Sequence, residues 1–230
     1  MADKPITFSA AMVRALLAGT KTQTRRLLNP QPEMFPVDEA GTLCDVYCIH
    51  VEGEAVPRIA MGSNGCGVIT LQKVPYAVGD RLYVRDAWRV SSAQDHLAGS
   101  KLPWPLTVEY LADGQGYFDG RYRHARYMPR WASRLWLEVT EVRVERLQSI
   151  SEADSIAEGI EAVDYNGEVR WRCYQDPDPL PALQWMDPRF SYRSLWRTLH
   201  TDPGKRWEDN PWIVAVSFAV HHGNVDQAKP

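Results

Sequence analysis

Residues 212–220 constrain the fold more than any other stretch of this sequence. In an extended chain, Trp212, Val214, Val216, Phe218 and Val220 share one face, while Ile213, Ala215 and Ala219 share the other. A strand is apolar on both faces only when both are covered, so this strand is central in its sheet. A chain of 230 residues, 44% hydrophobic and 24% charged, supplies that cover as an ordinary globular domain.

Residues 135–144 give a second strand. Leu135, Leu137 and Val139 share a face, then Val142 and Val144 continue in the opposite phase. Such a phase change is the mark of a bulge or sharp coil, the device by which barrels close. The Gly79-Asp80 turn leads into a third strand, Arg81 to Arg85, with Leu82 and Val84 inward, and 107–111 is a weaker fourth. Helices flank them. Ser9 caps a helix with an apolar stripe of Met12, Val13, Leu16 and Leu17, and Gly19 ends it. Ser151 and Asp154 open a second helix that runs through Glu158 to a stop at Gly159. A short third helix occupies 192–199. Residues 29–74 are rich in Pro, Gly and polar residues without periodicity, and read as a long excursion rather than a second domain.

The formal net charge of −3 argues against a protein that coats nucleic acid through bulk charge. The charge is unevenly spread, however. Residues 4–32 hold Lys4, Arg14, Lys21, Arg25 and Arg26 and no acid; residues 121–134 hold Arg121, Arg123, Arg126, Arg130 and Arg134 and again no acid. Local basic surfaces on an acidic chain suit a small anionic ligand or a short strand. Nine Trp and ten Tyr can build a core or serve as base-stacking surfaces.

Cys44, Cys48, Cys66 and Cys173 form no CxxC pair. His50 lies near the first two, but the spacing is not that of a zinc ribbon, so reduced structural thiols and no metal are expected. The apolar run 10–17 is broken by Arg14 and too short to span a bilayer, and no secretory signal is visible; a cytoplasmic protein without a membrane partner is expected. Phosphate loops, HExxH and GxSxG are missing, which removes the commonest triphosphatase, zinc-protease and serine-hydrolase readings.

The segment Gly19-Thr20-Lys21-Thr22-Gln23-Thr24-Arg25-Arg26 carries the most chemistry. Read as a strand, it points Lys21 and Thr24 to opposite faces; read as a turn, it lets them converge. Arg25 and Arg26 disfavour a protonated Lys21, and burial acts in the same direction. A neutral Lys21 amine can take the proton of the Thr24 hydroxyl and make it a nucleophile. The alternative is an ordinary polar surface loop.

Leu17-Ala18-Gly19-x-Lys21-Thr22-x-Thr24-x-Arg26 resembles the opening signature of ASCH-domain proteins, a branch of the PUA-like superfamily. Gly79-Asp80-Arg81-Leu82-Tyr83-Val84 is similar to the family's Gly-Asp strand. Ile150-Ser151-Glu152, with Ala157-Glu158-Gly159, resembles its acidic helix, and Pro211-Trp212 its closing strand. The resemblance implies one α+β domain: a mostly antiparallel PUA-like β-barrel with peripheral helices and long inserts at about 29–76, 89–130 and 160–210. The compact N4-acetylcytidine amidohydrolases of the family use a Lys, a Thr and a Glu in these motifs and no cofactor. By that resemblance Lys21 is the proton acceptor, Thr24 the nucleophile and Glu158 the proton donor to the leaving amine. The inserts make this chain more similar to the longer ASCH proteins of phages and prophages, for which no substrate is implied.

In this longer form Arg25, Arg26, Arg85, Trp88, Arg130, Trp131 and Arg134 are the candidate substrate contacts, as a stacking and phosphate-binding rim. The same residues read equally as core tryptophans under salt-bridged arginines. The expected partner is a modified nucleoside or a short single-stranded RNA. Removal of an acyl group from a cytosine nucleoside leads; a non-catalytic reader of RNA or modified bases, an ASCH-type ribonuclease and a phage accessory protein that contacts another protein are the alternatives.

Overall fold

A computed structural model describes residues 3–31, 45–49, 58–62, 70–103, 105–114, 116–175 and 186–227. The fold is mixed α and β, with a mainly antiparallel main sheet and few helices. Its strands are β1 (Asp3–Thr7), β2 (Gln23–Leu27), β6 (Arg81–Arg85), β9 (Leu135–Arg146) and β12 (Trp212–His222), in the order β1-β6-β9-β12-β2. No closed barrel is present among the described strands. Three smaller sheets pair β3 (Asp45–Ile49), β4 (Arg58–Gly62) and β5 (Thr70–Lys73); β7 (Trp88–Arg89) with β8 (Glu109–Tyr110); and β10 (Ala162–Tyr165) with β11 (Glu168–Trp171). The excursion without periodicity thus carries three antiparallel strands. No described helix is long and apolar enough to cross a membrane.

The chain forms two compact units whose segments alternate along the sequence. The first comprises Met1–Thr22, Gly79–Val139 and Phe218–Pro230. In it β1 runs parallel to β6, with Ile6 opposite Val84, and β6 pairs antiparallel with the start of β9, Leu82 opposite Leu137. Leu82, Leu135, Leu137 and Val139 are all sealed from water, as their alternation requires. Helix α1 (Ala10–Leu17) begins where the Ser9 hydroxyl accepts the Met12 N–H, buries Val13 and Leu16, and ends at Gly19, whose φ of 73° is left-handed. A second apolar cluster joins Trp88, Val90, Leu102, Met128 and Ala132.

The second unit comprises Gln23–Val78 and Thr140–Ser217. Here β2 pairs antiparallel with β12, Thr24 opposite Val216 and Arg25 opposite Ala215. Residues 213–216 are buried without a break, the both-face burial expected of a central strand. Helix α2 (Glu152–Ala157) is capped by the Ser151 hydroxyl, which accepts the Asp154 N–H at 3.0 Å. Helix α3 (Pro188–Leu199) starts earlier than its apolar pattern, because Asp187 caps it and Pro188 fits a first turn that needs no N–H. Its Tyr192 and Trp196 pack with Leu147, Ile150, Ile160, Ile213 and Ala215.

Candidate functional site

The geometry begins at the end of α1. The Lys21 N–H donates to the Ala15 carbonyl at 3.2 Å, so the helix's last turn fixes the backbone before β2 starts. Lys21 lies outside the strand, with Thr22 between them, and is 1% exposed. Its Nζ stands 5.5 Å from the centroid of the buried Phe8 ring. All of this belongs to the first unit.

In the second unit β2 buries Gln23, Thr24 and Arg25 in succession. Strand alternation puts Gln23 and Arg25 on one face and Thr24 on the other. On the Gln23–Arg25 face lies a charge cluster. The wholly buried Arg25 guanidinium reaches Glu145 at 2.8 Å, Asp154 at 3.1 Å and Glu158 at 3.6 Å, and donates to the Gln23 side-chain oxygen. The Gln23 amide donates to Asp154 at 3.0 Å and to the Ser217 hydroxyl at 3.3 Å, and Arg143 donates to Asp154 at 2.8 Å. Burial alone would raise the Asp154 pKa, but hydrogen bonds from Gln23, Arg143 and Ser151 and the charge of Arg25 outweigh it and hold the carboxyl well below its ordinary value.

Glu158 is the C-cap residue of α2 and is 4% exposed; its N–H donates to the Asp154 carbonyl. The same helix therefore presents Asp154 and Glu158, one turn apart, to one guanidinium. Beside them Tyr192 is buried, and desolvation first, then the charge of Glu158, pushes its hydroxyl pKa well above 10. Arg25 and Glu158 are thus together. Thr24 projects from the opposite face of β2, and Lys21 is built by the first unit.

Arg26 lies in the electrostatic surroundings of Tyr76, Tyr192 and His200. Burial lowers the His200 pKa, and the charges of Arg26 and Lys205 lower it further. In the first unit Trp88 is 0% exposed and forms core, not rim. Arg130 is committed to Asp3 at 2.5 Å and to Asp226, and Arg134 is bidentate to Asp113, both bonds at 2.7 Å. Trp131 packs partly buried against the Trp88 cluster. Arg85 donates to neutral acceptors, the Arg126 carbonyl and the Tyr83 hydroxyl, each at 3.0 Å. Of the first-unit candidates, Arg85 is the one that lines a cavity together with Arg121, Arg123 and Arg126. The sequence marked that basic run but not its enclosure.

Cys44, His50 and Cys66 lie outside the described residues, as does the Cys48 side chain; Cys173 is a buried thiol. Among the described residues no group of three or more His, Cys, Asp or Glu is arranged to hold a metal. No protein-family model, curated protein or solved structure matches this chain.

Proposed function

We propose that this chain is a base-directed hydrolase of the ASCH type that removes an acyl group from the N4 amine of a modified cytosine nucleoside without a metal. The observation that carries this reading is the burial of all three motif residues: Lys21, Thr24 and Glu158 are 1%, 4% and 4% exposed. A polar loop and a helix end would ordinarily leave such side chains in water. Burying a lysine and a glutamate costs several kcal/mol per ion before their partners are counted, a cost that folds meet at functional sites and in strong ion pairs. In this reading Lys21 accepts the proton of the Thr24 hydroxyl, Thr24 attacks the acyl carbonyl, and Glu158 protonates the departing exocyclic nitrogen. Water then hydrolyses the Thr24 ester, releasing the carboxylic acid and restoring the hydroxyl. Completion of the main sheet as a PUA-like barrel is part of the same proposal.

A second reading has its own observation. Glu158 lies on the face of β2 that carries Arg25, 3.6 Å away, while Thr24 projects from the other face. A carboxylate accepts hydrogen bonds from a cytosine amino group, so this arrangement suits a non-catalytic reader of a base. Incubation with N4-acetylcytidine and other acylated nucleosides, followed by mass spectrometry, separates the two. Release of the free nucleoside supports hydrolysis, whereas saturable binding with the acyl group intact supports the reader.

A further inference from the structure

In the first unit a cavity of about 630 Å³ is bordered by the basic run 121–129, the segment 98–100 and Arg85. Its volume is that of a small-molecule site, about 300–1,000 Å³. Four arginines and His124 line it, and no Asp or Glu does. We propose that this cavity binds a nucleoside phosphate unit, with the phosphate on Arg85 and Arg126 and the base against Tyr122 and Tyr127.

The arginines divide into builders and binders. Arg123 is a builder: its buried guanidinium donates to the Leu97 and Gln94 carbonyls at 2.8 and 2.9 Å and lies 5.3 Å from the centroid of a Trp88 ring. Arg121 shares in that work, donating to Leu97 at 3.1 Å and standing 3.9 Å from Asp95. Arg85 and Arg126 are the binders. Arg85 is held in place by neutral oxygens, so its orientation is fixed while its charge is not cancelled. Arg126 engages its neighbours through its backbone alone: its carbonyl accepts from Arg85 and its N–H donates to His124 Nδ1. Among the described residues its exposed guanidinium has no partner. Two uncancelled guanidinium groups, one of them preoriented, form an anion site, because a phosphate accepts charge-assisted bonds from both.

The rest of the lining suits a nucleoside. Tyr122 and Tyr127 are 56% and 66% exposed and line the cavity with the arginines. Exposed aromatic faces next to cations are the ordinary platform for an unpaired base. His124 Nδ1 accepts the Arg126 N–H at 3.1 Å, so in the neutral ring the hydrogen sits on Nε2, which becomes a donor. Tyr127 is fixed from behind: a Cβ on Gly99 would meet its carbonyl oxygen at 2.6 Å, so the 98–100 segment closes on it as only glycine permits. The proposal does not depend on Lys21, Thr24 or Glu158.

The test is competition against a 3′-fluorescein-labelled RNA octamer, read by fluorescence anisotropy across a salt series. Adenosine monophosphate should displace the octamer at concentrations at least tenfold lower than adenosine or inorganic phosphate alone. If it does so as a free compound, the site takes nucleotides. If the octamer binds yet only a second, unlabelled oligonucleotide displaces it, the site takes strands. Arg126→Glu should weaken octamer binding at least tenfold and flatten the salt slope by about 0.7, the share of one phosphate contact on a single strand. Tyr122→Ala with Tyr127→Ala should weaken binding with the slope unchanged. Arg126→Glu removes no described side-chain contact, and circular dichroism checks that it folds. Octamer affinity and slope unchanged in Arg126→Glu, or adenosine competing as well as its monophosphate, would overturn the proposal. Loss of acyl hydrolysis in Lys21→Met with octamer binding intact would keep the two sites distinct.

Discussion

The Arg25 guanidinium stands 3.6 Å from the Glu158 carboxylate, with Arg25 fully buried and Glu158 nearly so. Glu145 and Asp154 share the same cation, so one guanidinium holds three carboxylates from β9 and the α2 end. Removing it takes a buried cation away from all three carboxylates. Arg25→Met should therefore destabilise the protein by about 3–5 kcal/mol, the usual cost of breaking a buried pair. Urea unfolding measures this. A loss under 1 kcal/mol would mean that Arg143 and water replace Arg25. Pairing Arg25→Met with Glu158→Gln should recover part of the loss, since one stranded charge is then gone.

Asp154 makes the same cluster sensitive to acid. Its pKa is lowered in the fold, so its contribution is complete above its ordinary value of 3.8 and is lost as pH falls towards the folded value. Melting temperatures should decline from about pH 5 downwards. Asp154→Asn should be less stable than the parent at pH 7, and the gap should narrow steadily as pH falls below about 4. Parallel melting curves for the two proteins would show that Asp154 is not the acid-sensitive group.

What the sequence made legible was local. Ser9 with Gly19, and Ser151 with Gly159, bracket their helices because caps and left-handed stops are encoded within a few residues. The alternations of β6, β9 and β12 were readable for the same reason. The change of phase in β9 falls where Thr140 and Glu141 are both exposed, at the passage from one unit to the other. The charge partners were not legible. Arg130 meets Asp3 across 127 positions and Arg25 meets Glu145 across 120, and no local pattern specifies such pairs. Trp88 and Arg85 looked alike as rim residues, yet one is sealed in the core and the other lines a cavity. Asp3–Thr7 was missed as a strand because Pro5 interrupts its pattern, which an edge position beside β6 tolerates.

Asp86 gives a pH dependence of the opposite sign. It is 2% exposed, and its nearest described cation, Arg134, stands 3.5 Å away while bidentate to Asp113. Burial, only partly offset by Arg134, pushes its pKa from 3.8 up to about 6. A raised carboxyl costs nothing below the unfolded value and destabilises increasingly as pH rises to about 6, beyond which the penalty is constant. Asp86→Asn should be more stable than the parent by about 1–3 kcal/mol at pH 7.5 and equal to it near pH 3. A destabilised Asp86→Asn at pH 7.5 would mean that the Arg134 contact outweighs desolvation.

The hydrolase reading stands on Lys21, Thr24 and Glu158, and their substitutions must separate chemistry from folding. All three are buried, so the variants have to keep shape: Lys21→Met, Thr24→Val and Glu158→Gln replace each side chain at nearly constant volume. Removing a general acid or base typically lowers the rate about 10²–10⁴-fold, and Lys21→Met and Glu158→Gln should each fall in that range on N4-acetylcytidine. Thr24→Ser keeps the hydroxyl and should keep part of the activity, whereas Thr24→Val should have none. Glu158→Gln also removes a carboxylate from Arg25, and since Glu145 and Asp154 remain, its melting temperature should move much less than that of Arg25→Met. Turnover by Thr24→Val at the parent's rate would exclude Thr24 as nucleophile and agree with its placement on the face of β2 away from Arg25 and Glu158. A parent protein that binds N4-acetylcytidine and never releases acetate would move the assignment to the reader, in which Glu158→Gln lowers affinity and no rate exists to lose.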